Sequence, residues 1–132
     1  MSKALEIHHL TKKYEHFQLQ DLSFDVEQGR IMGFIGRNGA GKTTTLKCLL
    51  NFVHPDAGEV LFFSERFDEH EESIKQRISF VSGSVLPYEK KRLQTITDVT
   101  RSFYPRWDAT AYQHYLQRFE LEEHKRLCEL SE

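Results

Sequence analysis

The sequence contains few cysteines, little excess charge and no long hydrophobic run. Its two cysteines, Cys48 and Cys128, form no Cys-x-x-Cys pair, which predicts reduced thiols and a cytoplasmic protein. The 18 basic and 20 acidic residues give a net charge of −2, so the charge balance does not favour a nucleic acid or an anionic membrane as a partner. No apolar run approaches the length of a membrane span, and the N-terminus lacks the apolar core of a signal peptide.

A glycine-rich motif is the most informative segment that the sequence does contain. Residues 36–43 read Gly-Arg-Asn-Gly-Ala-Gly-Lys-Thr and match the phosphate-binding P-loop pattern. The apolar run at 29–35 predicts a buried strand before the loop, and Leu46, Leu49 and Leu50 lie at helical spacing after it. A strand, a glycine-rich turn and a helix form the context that this motif requires.

The residue types of the loop suit a nucleoside triphosphate with Mg²⁺. Glycines let the backbone approach the phosphates, and the N–H groups of residues 38–43 can form an anion nest. Lys42 supplies a positive charge for the β- and γ-phosphates, and the Thr43 hydroxyl suits Mg²⁺ as a ligand. The predicted nucleotide-binding residues of the loop are Gly36, Asn38, Gly39, Ala40, Gly41, Lys42, Thr43 and Thr44, with Thr43 also the predicted metal ligand.

Patterning elsewhere predicts strands in the first part of the chain and helices in the last part. Residues 4–10, 18–26, 59–63 and 77–81 are predicted strands, and residues 68–76 are a predicted short helix. Three helices are predicted later: one that contains Leu93, Ile96 and Val99, one capped by Asp108, and one over residues 122–127. An aromatic stripe on the second of these helices is interpreted as core. The predicted division is a nucleotide-binding domain at 1–89 and a helical subdomain at 90–132.

Several segments together resemble the nucleotide-binding subunits of ABC transporters over essentially the whole chain. They are the P-loop, Leu10-Thr11-Lys12-Lys13-Tyr14, Leu22-Ser23-Phe24-Asp25-Val26 and Pro55-Asp56-Ala57-Gly58-Glu59-Val60. In addition, residues 104–108, Tyr-Pro-Arg-Trp-Asp, are similar to bacterial subunits that pair with ABC-2-type exporter permeases.

The resemblance implies an α/β fold: a P-loop NTPase core with N-terminal antiparallel strands and the start of an ABC-type helical subdomain, incomplete as it stands. It implies ATP and Mg²⁺ as cofactors, with Tyr14 stacked on the adenine, for which its flat apolar ring is suited. It also implies a membrane permease bound through the helical subdomain, an ATP-dependent homo- or heterodimer of the full-length protein, and a peripheral location at the inner face of the membrane. No nucleic acid is expected as a partner.

The sequence departs from the family pattern in two places. Gly83 stands where the family usually has a glutamine that touches Mg²⁺, and the neighbouring Ser82 and Ser84 are weak substitutes. Residues 130–132, Leu-Ser-Glu, resemble the opening of the family signature, and no counterpart is found for the Walker B aspartate, the catalytic glutamate or the switch histidine. We therefore expect no catalytic residue in these 132 residues, which would bind Mg-ATP without hydrolysing it alone.

Two other functions fit part of the sequence. One is a truncated, non-hydrolytic module that binds nucleotide and regulates. The other is a different P-loop NTPase, such as a GTPase or small kinase. Those enzymes usually begin at the P-loop strand, whereas here two predicted strands and Tyr14 precede it, and there is no Asn-Lys-x-Asp motif for guanine.

Overall fold

The computed structural model describes residues 1–81 and 88–130. It divides the chain into two compact units, Met1–Arg77 and Ile78–Glu132. The first unit contains β1 (Lys3–Lys13), β2 (Gln18–Glu27), α1 (Lys42–Leu49), β3 (Ala57–Phe62), β4 (Glu65–Arg66) and α2 (Glu71–Lys75). The second contains α3 (Leu93–Ser102), α4 (Ala109–Arg118) and a 3₁₀ turn (Leu127–Glu129).

The first unit is built on a four-stranded antiparallel sheet in the order β2-β1-β3-β4. The strands predicted at 4–10, 18–26 and 59–63 all form. Along β2 the half-buried Leu22, Phe24 and Val26 alternate with exposed polar residues, because successive side chains of a strand point to opposite faces. The alternation therefore identified both the strand and its inward face.

Gly58 allows β3 to approach β1 closely. Its φ is +91°, and a Cβ on this residue would lie 2.5 Å from the carbonyl oxygen of His9. Any other residue would meet the backbone of β1 and would also be strained at this φ. The last residue of the Pro-Asp-Ala-Gly turn must therefore be glycine, because β3 pairs with β1 at that point.

The core of the first unit combines side chains from the sheet and the helices. The buried apolar residues are Ile7, Leu10, Leu19, Cys48, Leu49, Val60, Phe62, Phe67 and Ile74. Helix α1 buries Thr45, Cys48 and Leu49, whereas Leu46 is exposed. The predicted helix is therefore present, but its buried stripe begins one residue earlier than the leucine spacing indicated.

In the second unit the predicted cap of α4 is confirmed. The Asp108 carboxylate accepts a hydrogen bond from the N–H of Ala111 at 2.8 Å, which satisfies one of the donors that a helix N-terminus leaves without a partner. The Tyr112 hydroxyl and the Thr97 hydroxyl lie 2.8 Å apart and join α4 to α3. Leu116 is 7% exposed, but Tyr115 and Phe119 are 54% and 64% exposed, so the aromatic stripe is core only in part.

Two predicted strands and one predicted helix are not observed. Residues 30–35 and 78–81 are irregular, and Ile31, Ile35 and Val81 are almost fully exposed. A strand needs a neighbour for its backbone hydrogen bonds, and no strand of the described sheet pairs with either run. Residues 122–127 form a turn held by a bridge between Arg126 and Arg92, since their polar sequence offers no apolar face to a helix.

Candidate nucleotide-binding site

The candidate site is the loop that joins β2 to α1. Within it, the N–H of Ala40 donates to the carbonyl oxygen of Arg37 at 3.0 Å and closes a turn. Gly39 and Gly41 have φ values of +84° and +103°, a region that glycine adopts without a steric penalty. These two glycines turn the chain into the first residue of α1, Lys42.

The start of α1 presents several N–H groups without a partner from the helix. Its N-cap, Gly41, has no side chain to accept them. The first helical bond runs from the N–H of Thr45 to the carbonyl oxygen of Gly41, 2.8 Å away, and the Thr45 hydroxyl donates to the same oxygen at 2.7 Å. The N–H groups of Lys42, Thr43 and Thr44 therefore have no carbonyl oxygen within the helix to which they can donate. An anion at this positive end of the helix would be stabilised by all three.

A cavity of about 360 Å³ lies over this helix end. Within the described part of the chain, its lining carries two basic side chains and two threonine hydroxyls, but no carboxylate. The lining residues are Phe17, Arg37, Asn38, Gly39, Gly41, Lys42, Thr43 and Thr44. This donor set is complementary to a polyphosphate, since it offers positive charge and N–H groups without an opposing negative charge.

The side chain of Lys42 lies across the loop. Its ammonium donates to the carbonyl oxygen of Gly36 and lies 3.2 Å from that of Arg37. An ammonium has three donors and no acceptor, so these contacts leave at least one donor for a phosphate oxygen. These two carbonyl oxygens of the loop therefore hold the positive charge of Lys42 at the cavity.

Six of the nine predicted binding residues line the cavity: Asn38, Gly39, Gly41, Lys42, Thr43 and Thr44. The other three lie outside its lining. Gly36 accepts from Lys42, Ala40 uses its N–H within the turn, and Tyr14 is 46% exposed. Contact of each residue with a nucleotide stays a prediction.

Two lining residues, Phe17 and Arg37, were missed from the sequence. Arg37 occupies a variable position of the motif. The signal for Phe17 was its place three residues after Tyr14, in the same short connection between β1 and β2.

A divalent cation would fit this site only together with the nucleotide. Among residues 1–81 and 88–130, no group of three His, Cys, Asp or Glu side chains could hold a metal ion. The Thr43 hydroxyl supplies one hard oxygen, and Mg²⁺ commonly takes its further ligands from substrate phosphates and water. Ser82, Gly83, Ser84 and Glu132 lie outside the described residues.

Cys48 lies in the same helix but takes no part in the chemistry of the site. Its side chain is buried, and burial raises the pKa of the thiol. A buried neutral thiol behaves as a small apolar residue. Cys48 therefore packs within the core of the first unit.

Comparison with known proteins places this chain within a family. The family described as ABC transporter matches residues 19–132. The ABC transporter ATP-binding protein YtrB of Bacillus subtilis is 34% identical over 128 residues, which are 96% of this chain and 44% of that protein. The chain thus spans less than half the length of this curated relative.

Solved structures agree with the fold. The ATP-binding subunit of an ABC transporter has a TM-score of 0.83 at 24% identity, and the match covers 97% of this chain and 56% of that one. An ABC transporter ATP-binding protein from Pyrococcus furiosus has a TM-score of 0.76 at 28% identity, covering 98% and 64%. The predicted α/β class, with an antiparallel sheet and helices of this type, is confirmed.

Proposed function

The chain belongs to the ABC transporter family of ATP-binding proteins, and from that premise we propose that it is the Mg-ATP-binding part of a subunit that energises a membrane permease. The observation that carries this proposal is the cavity over the start of α1. It brings together the Lys42 ammonium, the three N–H groups that begin the helix and the Thr43 hydroxyl, and none of the described residues that line it is a carboxylate.

Each of these groups has a separate role toward the nucleotide. The N–H groups of residues 42–44 hold phosphate oxygens at the positive end of the α1 dipole. Lys42 neutralises charge on the β- and γ-phosphates, and Thr43 holds Mg²⁺ from the protein side. The Thr43 hydroxyl would hold Mg²⁺, and the ion would supply positive charge that reduces what the protein must balance.

Replacement of Lys42 by alanine tests the assignment. The Lys42→Ala protein is expected to bind Mg-ATP more weakly by about 2–4 kcal/mol, because it loses charge-assisted hydrogen bonds in a partly desolvated site. Isothermal titration calorimetry measures the change, and circular dichroism confirms that the variant is folded.

Lys47→Ala is the matched control for this experiment. Lys47 lies in the last turn of α1 and does not line the cavity, so its loss should leave the affinity within about twofold, as for a charge that is screened by solvent. An unchanged affinity in Lys42→Ala would refute the P-loop assignment.

We further propose that the second unit provides the surface that meets the permease. On or next to its two helices, four large apolar side chains are more than half exposed: Val99 and Phe103 at α3, and Tyr115 and Phe119 at α4. Exposed apolar patches on otherwise polar domains commonly mark interaction sites. The similarity of residues 104–108 to subunits of ABC-2-type exporters suggests a permease of that type.

The location of the protein follows from this partner. None of the helices in the described part of the chain is long and apolar enough to cross a bilayer. We propose that the protein lies at the inner face of the membrane through its permease. We also propose that the full-length protein forms an ATP-dependent dimer and hydrolyses ATP in that state.

A further inference from the structure

Two short segments of the second unit lie side by side, one just before α3 and one just before the 3₁₀ turn. Two hydrogen bonds of 3.0 Å, donated by the N–H groups of Leu93 and Leu127 across the pair, flank a bridge between Arg92 and Arg126. Facing residues that are flanked in this way form the closer kind of antiparallel pair, with Cα atoms about 4.5 Å apart. The two arginines therefore lie directly opposite each other.

Four exposed basic side chains come together at this bridge. We call them the basic cluster: Lys90, Lys91, Arg92 and Arg126. None of them forms an ion pair with a carboxylate in the described part of the chain. Two nearby carboxylates have other contacts, since Glu122 pairs with Lys125 and Glu129 accepts from the N–H of Arg126. The cluster therefore keeps its positive charge at the surface.

This arrangement has a cost to stability. Like charges that lie directly opposite each other in a strand pair are destabilising. In the first unit, by contrast, Lys3 lies 2.7 Å from Asp25 and Arg66 lies 2.8 Å from Asp68. The repulsion within the basic cluster would be relieved by an anion from outside the chain, which points to a negatively charged partner.

An exposed aromatic ring next to the cluster indicates which partner this is. Tyr88 is 57% exposed, and its carbonyl oxygen accepts from the N–H of Lys91 at 2.9 Å, so it belongs to the same turn. Tyrosine is enriched where a membrane meets water, because its ring is apolar and its hydroxyl is polar. Several exposed cations beside such a ring suit a surface of anionic lipid headgroups.

We propose that the basic cluster, together with Tyr88, binds anionic phospholipid headgroups at the inner face of the membrane. The net charge of −2 for the whole chain does not oppose this, because salt limits the reach of each exposed charge to about 8 Å. Each lysine or arginine near an anionic leaflet strengthens binding about fivefold. The inference rests on the proposed location beside a permease and adds a direct contact with lipid.

Co-sedimentation with lipid vesicles tests the proposal on the 132-residue chain. One set of vesicles contains phosphatidylcholine alone, and the other contains phosphatidylcholine with phosphatidylglycerol. We expect binding to the anionic vesicles only, and added salt should weaken it. The double variant Arg92→Gln, Arg126→Gln is expected to lose about 25-fold in partition coefficient, fivefold for each charge. The double variant Arg92→Lys, Arg126→Lys keeps both charges and should bind within about threefold of the parent.

The matched control is the double variant Arg101→Gln, Arg106→Gln. It removes the same charge from two exposed residues of the same unit, one in the last turn of α3 and one in the connection to α4. Its vesicle binding should stay within about twofold of the parent, since these charges are screened from the cluster. In urea, the Arg92→Gln, Arg126→Gln variant should be at least as stable as the parent, because the opposed charges are gone.

Three outcomes would overturn the inference and leave the proposed nucleotide binding intact. They are the absence of binding to anionic vesicles, equal binding to both kinds of vesicle, and equal losses in the Arg92→Gln, Arg126→Gln variant and the control. If the parent bound polyglutamate but no vesicles, the cluster would belong to an acidic protein partner instead. Calorimetry with Mg-ATP on the same samples keeps the two proposals separate, because a parent chain that did not bind Mg-ATP would refute the proposed function itself.

Discussion

At the residue scale, Asp56 joins the end of β1 to the turn that precedes β3. One carboxylate oxygen accepts from the N–H of Lys13 at 2.7 Å, and the other lies 3.3 Å from the Lys12 ammonium. The N–H of Asp56 donates to the carbonyl oxygen of Thr11 at 2.8 Å. The hydrogen bond from Lys13, followed by that from Lys12, lowers the pKa of the Asp56 carboxyl below its usual value.

This lowered pKa predicts a loss of stability in acid. A carboxyl whose pKa is lower in the folded state stabilises the fold fully above its unfolded pKa of about 3.9, and the contribution is lost as the pH falls through the folded value. The difference in unfolding free energy between the parent and Asp56→Asn should therefore be constant near pH 6–7 and shrink below about pH 5. Urea unfolding over this range, followed by circular dichroism, measures it.

Glu15→Gln is the control, because it removes one negative charge from the neighbouring turn, where the side chain is 88% exposed. The difference in unfolding free energy between the parent and Glu15→Gln should change less with pH than the difference between the parent and Asp56→Asn. If the difference in unfolding free energy between the parent and Asp56→Asn stayed the same down to about pH 3, the role given to this carboxylate would be contradicted.

Residues with local roles were predictable from the sequence, and residues placed by tertiary contacts were not. The P-loop positions and the Asp108 cap are set by neighbours within a few residues, so a short motif sufficed to find them. The place of Phe17 against Gly41 depends on how the turn between β1 and β2 packs on a loop more than twenty residues later. The local pattern places Phe17 in the same turn as Tyr14, but it does not show that the ring packs against Gly41.

At the element scale, strands were predicted well where apolar and polar residues alternate, and poorly where the sequence is a uniform apolar run. Strands β1, β2 and β3 each have one face that the rest of the unit covers, which leaves a period of two in the sequence. The runs at 30–35 and 78–81 are apolar on both faces, as expected for strands buried between others. A run of that kind becomes a strand only where neighbours pair with it, and the run itself does not identify them.

Helix α4 offers a test of the proposed permease surface. The rings of Tyr115 and Phe119 stack with centroids 6.2 Å apart and planes 16° from parallel, and both are exposed. A photoreactive amino acid in place of Tyr115 is expected to cross-link to an integral membrane polypeptide in cells that contain the full transporter. Washed membranes, analysed by mass spectrometry, give the readout.

The same probe in place of Gln113 is the control for this surface. Gln113 is also exposed on α4, and residues two apart on a helix do not share a face. Cross-linking from position 113 should therefore be much weaker than from position 115. Equal yields from the two positions, or adducts with soluble proteins alone, would count against a permease-facing role for α4.

At the scale of the whole molecule, nucleotide binding and the activation of water are expected to require different groups. Phosphoryl transfer requires a residue that orients the attacking water and groups that stabilise charge on the transferring phosphoryl. Among the described residues, the cavity lining offers positive charge through Lys42 and a hydroxyl through Thr43, but no carboxylate and no histidine. We therefore expect the described residues to bind the nucleotide, and we expect hydrolysis to require further groups.

The 132-residue polypeptide is accordingly expected to bind Mg-ATP and to show no steady turnover. A phosphate-release assay on the purified chain at saturating Mg-ATP tests this, with Lys42→Ala as the control for contaminating ATPases. Release that is equally slow in both proteins agrees with the prediction, because the described lining contains no carboxylate or histidine to act on the attacking water. Turnover that continues over many cycles in the parent and disappears in Lys42→Ala would reveal a catalytic group that the cavity lining does not contain.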